Sequence, residues 1–189
     1  MLRRTLALAV AFVIADPFTA PASHPVTLGA TMNDVAQASA RQQLYGALVG
    51  SWRGTLEATD PGNPSQRSTL PATVEVRRTA DSASVTLDLS YAERPGKIVK
   101  ESDRLTLDAE GKTLTWASGS STVRYTVQSF DAPRPGHALR IVLEGQGSGA
   151  GARETLVVAL NKLQILREAR PAGQGELAFR QRYELTRAQ

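Results

Sequence analysis

Leu48-Val49-Gly50-Ser51-Trp52-Arg53-Gly54-Thr55-Leu56 is the stretch at which the chain changes its period. Upstream, apolar residues recur at helical spacing; downstream, they alternate. Within the stretch Trp52, Gly54 and Leu56 fall on one side of a strand, and Arg53, Thr55 and then Glu57 on the other. Gly50 and Gly54 flank the indole without a Cβ, so another segment of chain can cross close to the ring. The stretch reads as the opening strand of a sheet, with its tryptophan facing inward.

Downstream, the alternation continues almost to the end of the chain. Val74 and Val76, then Leu87, Leu89 and Tyr91, then Leu105 and Leu107 share one parity each, against Thr, Glu, Arg and Asp on the other. Trp116, Tyr125, Ile141, Leu143, Val158, Ile165, Phe179 and Tyr183 extend the same inward set. Turn signals separate the runs: Asp60-Pro61-Gly62-Asn63-Pro64, Arg94-Pro95-Gly96, Asp108 to Gly111, Pro133 to Gly136, the glycine-rich Gly145 to Gly151, Asn161-Lys162 and Arg170 to Gly173. About ten short strands result, with no crossover helix between them, so antiparallel neighbours are expected. The predicted fold class is all-β, an antiparallel up-and-down barrel of about ten strands with a short N-terminal helix; a two-sheet sandwich is the second choice. Upstream, Asn33 or Asp34 is placed to cap that helix, which runs to about Leu48 with Val35, Ala38, Leu44, Tyr45 and Leu48 near one face.

Three segments follow. Residues 1–22 read as an export signal: Arg3-Arg4, an apolar run from Leu6 to Ala15 too short to span a bilayer, and Ala20-Pro21-Ala22 for cleavage. Residues 23–40 are expected as a flexible arm, and 41–189 as the barrel domain. The expected location is periplasmic or secreted, with no transmembrane segment in the mature chain. At 189 residues, 41% hydrophobic and 21% charged, the chain suits one globular domain. Its net charge of +4 comes from scattered arginines, which excludes nucleic acid as the expected partner. There is no cysteine, hence no disulfide, thiolate ligand or lipid-modified cysteine.

Gly50-Ser51-Trp52, with Gly54 following, resembles the Gly-x-Trp signature that opens the first strand of lipocalins and the wider calycin group, including nitrobindin-like and fatty-acid-binding barrels. The resemblance implies a barrel closed at one end by Trp52, with a basic residue from the last strand packed across it. Arg187 is the first candidate for that residue and Arg182 the second; Gly50, Trp52, Gly54 and Arg187 form the expected barrel-closing set. It also implies a small, mostly apolar ligand in the interior, loosely a lipid or isoprenoid. Nitrobindin-like barrels bind haem through a histidine, and the closing strands here contain none, so no haem function is carried over.

Residue chemistry narrows the rest. The two histidines, His24 and His137, lie in the arm and in a turn, which leaves no basis for a triad or a histidine metal site. The glycine-rich stretch lacks the Lys-Ser/Thr ending of a phosphate loop and leads into a strand, so it is expected as a flexible hairpin connection. Glu101 and Asp103 share the parity of Leu105 and Leu107; the preferred reading starts that strand at Arg104, after a bulge, and leaves both acids outside. Gln181 sits between Phe179 and Tyr183, and Arg167 follows Leu163 and Ile165. Either they face inward and orient a ligand, or Arg167 reaches water at a strand end, which is preferred. The candidate ligand-binding residues are Tyr91, Trp116, Tyr125, Arg167, Phe179, Gln181 and Tyr183. The expectation is an exported binding protein, not an enzyme, needing no cofactor and no metal. The alternatives are an interaction module with a filled core and an envelope-protein partner, and a cofactor-free enzyme using Tyr91, Tyr125 or Glu101.

Overall fold

The structure, a computed structural model, describes residues 32–188 apart from 61, 64, 95, 148–149 and 171–174. The expected signal segment and His24 lie outside the described residues. The chain runs as α1 (Met32–Leu48), β1 (Gly50–Thr59), β2 (Arg67–Arg78), β3 (Val85–Arg94), β4 (Lys97–Leu107), β5 (Thr113–Ser118), β6 (Ser121–Asp131), β7 (Leu139–Gly147), β8 (Ala150–Val158), β9 (Lys162–Ala169) and β10 (Ala178–Arg187). Every strand pairs antiparallel with the next, and β10 returns to β1, which closes a ten-stranded barrel. The expected up-and-down barrel is the observed one, and the sandwich falls away. Closure leaves no sheet edge for another chain to extend.

The alternation of apolar side chains is what fixes this register, because a one-residue slip would turn the whole inner set to solvent. Trp52, Leu56, Val74, Val76, Leu87, Leu105, Ile141, Leu156, Ile165 and Leu185 form part of one buried core. Helix α1 seals one end. Leu44, Tyr45 and Leu48 are fully buried. The Tyr45 hydroxyl donates to Ala83 O at 3.0 Å and accepts from Leu107 N at 2.8 Å, which ties the helix to the rims of β3 and β4. Burial pushes the Tyr45 hydroxyl above the ordinary tyrosine range.

The helix ends on a compact clasp. Carbonyls in the last turn of a helix have no partner within it. Here Trp52 Nε1 donates to Leu48 O at 2.8 Å, while Arg187 donates from Nη1 to Val49 O (2.9 Å) and from Nη2 to Ala47 O (3.1 Å). The same guanidinium lies 4.3 Å from the Trp52 ring centroid, and Trp52 and Arg187 are partners in the β1–β10 register. Gly50 has φ 134°, a conformation that L side chains rarely adopt, and a Cβ there would meet the Arg187 guanidinium. At Gly54 a Cβ would run into the backbone of Glu184 and Leu185 on β10. Arg182 is elsewhere, on the outer face, bonded to Glu57.

Two expectations need correction. Helix α1 begins at Met32, so Asn33 and Asp34 lie in its first turn, not at the cap. The glycine-rich stretch is the expected hairpin connection, with β7 and β8 paired as far as Gly147 and Ala150. Strand β4 starts at Lys97, not Arg104, and pairs with β3 without a break from Ile98 to Leu105.

Replacing Arg187 by Ala removes the ring contact and two charge-assisted hydrogen bonds at a solvent-facing site; we expect a loss of about 1–2 kcal/mol in urea unfolding. Arg180→Ala, an exposed arginine nearer the other end of the same strand, should change stability by less than about 0.5 kcal/mol. Equal effects would deny the clasp its role.

Candidate functional site

The half of the barrel next to α1 is filled by aliphatic side chains together with Tyr45 and Trp52, but the other half is not. There, six strands each turn one polar or aromatic residue inward: Asp103 on β4, Trp116 on β5, Tyr125 on β6, Glu154 on β8, Arg167 on β9 and Tyr183 on β10. All six follow from strand parity, since each is separated by an even number of residues from an apolar core neighbour on its own strand.

Arg167 joins them. Its Nε donates to Glu154 Oε2 at 3.1 Å, across a β8–β9 register in which the two residues are direct partners. Its Nη2 donates to Asp103 Oδ2 at 3.3 Å. In the ring of strands β4 and β9 are five places apart in either direction, so this second bond crosses the lumen from one wall to the opposite one. The guanidinium also lies 4.5 Å from the Trp116 ring centroid. Trp116 Nε1 donates to Asp103 Oδ2 at 2.7 Å, and the Tyr125 hydroxyl to Glu154 Oε1 at 3.1 Å. The result is a charged strut, floored by aliphatic side chains and braced by two aromatic donors.

Burial makes this layer electrostatically tense. The side chains of Asp103 and Glu154 keep 1% and 6% of their surface exposed, that of Arg167 23%. Ionised, the three carry a net charge of −1. Desolvation pushes the Glu154 carboxyl up to about 7, against the opposing pull of Arg167 and the Tyr125 hydrogen bond. Burial works against the charge of Arg167, yet Glu154 and Asp103 more than offset it and raise its pKa. Tyr125 is raised by burial and by Glu154, and Tyr183 by burial, so both hydroxyls keep their protons at neutral pH. One atom is left over: Asp103 Oδ1 is buried and has no hydrogen-bond partner.

The other sequence-derived candidates lie around this layer. Tyr91 donates to Glu101 Oε1 at 2.9 Å toward the mouth and, buried first and then next to that acid, is pushed up to about 12. Gln181 is the β10 partner of Arg167 and is half-buried. Phe179 stands apart, beneath the Arg67 guanidinium at 4.2 Å. The preferred readings of Arg167 as a solvent-reaching residue and of Asp103 as an outside one are therefore corrected, because the opposed charges satisfy each other inside. Glu101 stays exposed. Sequence reasoning missed Glu154, although it shares the parity of Leu156 and Val158. His137 is exposed in its turn. Among the described residues no cluster of three or more His, Cys, Asp or Glu is arranged to hold a metal.

No protein-family model matches the sequence, and no curated protein matches it. Solved structures do. One is the S-type phycobiliprotein lyase CPES from Guillardia theta, with TM-score 0.56 and 15% identity over 84% of this chain and 98% of that one. Another is Rv2717c from M. tuberculosis, with TM-score 0.60 and 16% identity over 79% of this chain and 98% of that one. At these identities the likeness establishes the fold alone, a closed antiparallel barrel of ten strands. It also overturns the expectation that the chain is not an enzyme: a barrel of this shape is by name a lyase, so fold class gives no ground for excluding catalysis.

The folded protein holds the Glu154 proton more tightly than the unfolded chain, whose value is near 4.5. The stability this contributes is fully present below about 4.5 and is lost as pH rises through about 7. Between those limits wild-type unfolding free energy should fall by on the order of 2–3 kcal/mol more than that of Glu154→Gln. Arg167→Met strands two buried carboxylates, and should cost about 3–5 kcal/mol at pH 8 and less at pH 5. Chemical denaturation across pH checks both.

Proposed function

We propose that the protein is an exported binding barrel that takes a small, mostly apolar molecule into the mouth opposite α1, with the polar end of that molecule on the Asp103–Arg167–Glu154 layer. The observation that carries this reading is the charged strut itself. Burying three charges across the lumen is costly, and well-packed aliphatic side chains in their place would commonly be as stable or more so. A feature that does little for stability is expected where it recognises something. On the side of the strut away from α1, Tyr91 and Val123 are half-buried against the core. An apolar wall with few convergent polar groups is the usual make-up of a small-molecule pocket.

Two further observations support the reading. The lyase of the same fold shows that such barrels serve chemistry, so a molecule held here is open to being acted upon. Export rests on residues 1–22, with their arginine pair, short apolar run and small-residue cleavage site.

The neutral dye N-phenyl-1-naphthylamine tests the reading. It should bind saturably at one site and quench Trp116. Val123→Arg, next to Trp116 in the β5–β6 register, should weaken binding by about tenfold or more, the equivalent of about 1.4 kcal/mol. Thr122→Arg on the outer face should leave it unchanged. No saturable binding, or equal effects of the two variants, would contradict it.

A further inference from the structure

The two carboxylates of the strut offer four oxygens, and three are engaged. Asp103 Oδ2 accepts from Trp116 Nε1 and Arg167 Nη2, Glu154 Oε1 from the Tyr125 hydroxyl, and Glu154 Oε2 from Arg167 Nε. Only Asp103 Oδ1, on a side chain 1% exposed, is without a donor. A buried acceptor left unpaired is costly, and native interiors rarely keep one. What that oxygen lacks is therefore a donor.

Charge points the same way. Inside the mouth Asp103 and Glu154 face a single guanidinium, and Glu101 adds a third acid at the rim, where it holds the Tyr91 hydroxyl. Arg67, over Phe179, is already paired with Glu57. A ligand carboxylate reaching the layer would meet two acids and one arginine already matched to them, in surroundings that screen little. A protonated amine would instead supply the missing donor and cancel the excess negative charge.

We propose that the site selects an apolar molecule ending in a protonated amine, anchored on Asp103 Oδ1, over the corresponding fatty acid. This rests on the binding reading given above and names the chemical class it takes. The choice runs against the net charge of the whole chain, +4, which by itself attracts acids. Preference for an amine would thus report the local layer and not the global field.

Dodecylamine, 1-dodecanol and dodecanoate, each below its micelle concentration, make matched probes for calorimetric titration of the full chain at pH 7.5. The amine should bind about tenfold or more tighter than dodecanoate, with the alcohol between. Asp103→Asn should remove most of that preference while retaining alcohol binding. Should Asp103→Asn fail to fold, dodecyltrimethylammonium, which carries the charge without an N–H donor, should bind the unaltered chain more weakly than dodecylamine, and equal binding would overturn the assignment. Dodecanoate binding as tightly as the amine, or a preference that survives neutralisation of the acid, would overturn the amine assignment alone. Binding of none of the three would overturn the binding reading, and the assignment with it.

Discussion

The ladder between β1 and β10 turns a sheet into a barrel, and everything inside depends on it. Its two strands lie more than a hundred residues apart in the chain, so pairing them carries a large loop-closure cost before any contact rewards it. Trp52 and Arg187 meet at one end of this ladder, where the indole and the guanidinium together satisfy the last carbonyls of α1. One constellation therefore closes the sheet, seals its floor and terminates the helix. Positive charge at a helix C-terminus is favourable on its own account, which adds to the ring contact. Gly54 lets β10 come close enough for the pairing, since a Cβ there has no room.

Closure also divides the interior into two halves with different jobs. Next to α1 the aliphatic side chains interdigitate and supply stability. Beyond them the Arg167 side chain reaches across the lumen to Asp103 on the opposite wall, with Glu154 beside it. A strut of this kind demands that β4, β8 and β9 keep their positions relative to one another, because any opening would strand a buried charge. Its acids are almost wholly buried, and Arg167 keeps about a quarter of its side-chain surface exposed.

The division between what was readable in the sequence and what was not has a physical cause. Alternation made the strands and their inward faces readable, since Trp52, Leu87, Leu105, Ile141 and Ile165 each repeat with period two over a run. Asp103 was harder: Lys100-Glu101-Ser102-Asp103 contains no apolar residue, so nothing in that run marks the strand as continuing. Glu154 follows a glycine-rich stretch that hides the start of β8, although its parity with Leu156 and Val158 was there to be read. Arg167 was ambiguous, because a charged residue near a strand end faces water or a mouth with the same periodicity. Only the tertiary register, which brings residues 103 and 167 across the lumen, distinguishes the two.

The most direct measurement of the strut is solvent hydrogen exchange at the Arg167 Nε–H, followed by nitrogen-detected NMR of the arginine side chains. Donated to Glu154 Oε2 in the interior, that proton should exchange orders of magnitude more slowly than those of exposed arginines such as Arg180. Exchange as fast as at Arg180 would mean that Arg167 lies in water, and the site described here would not exist.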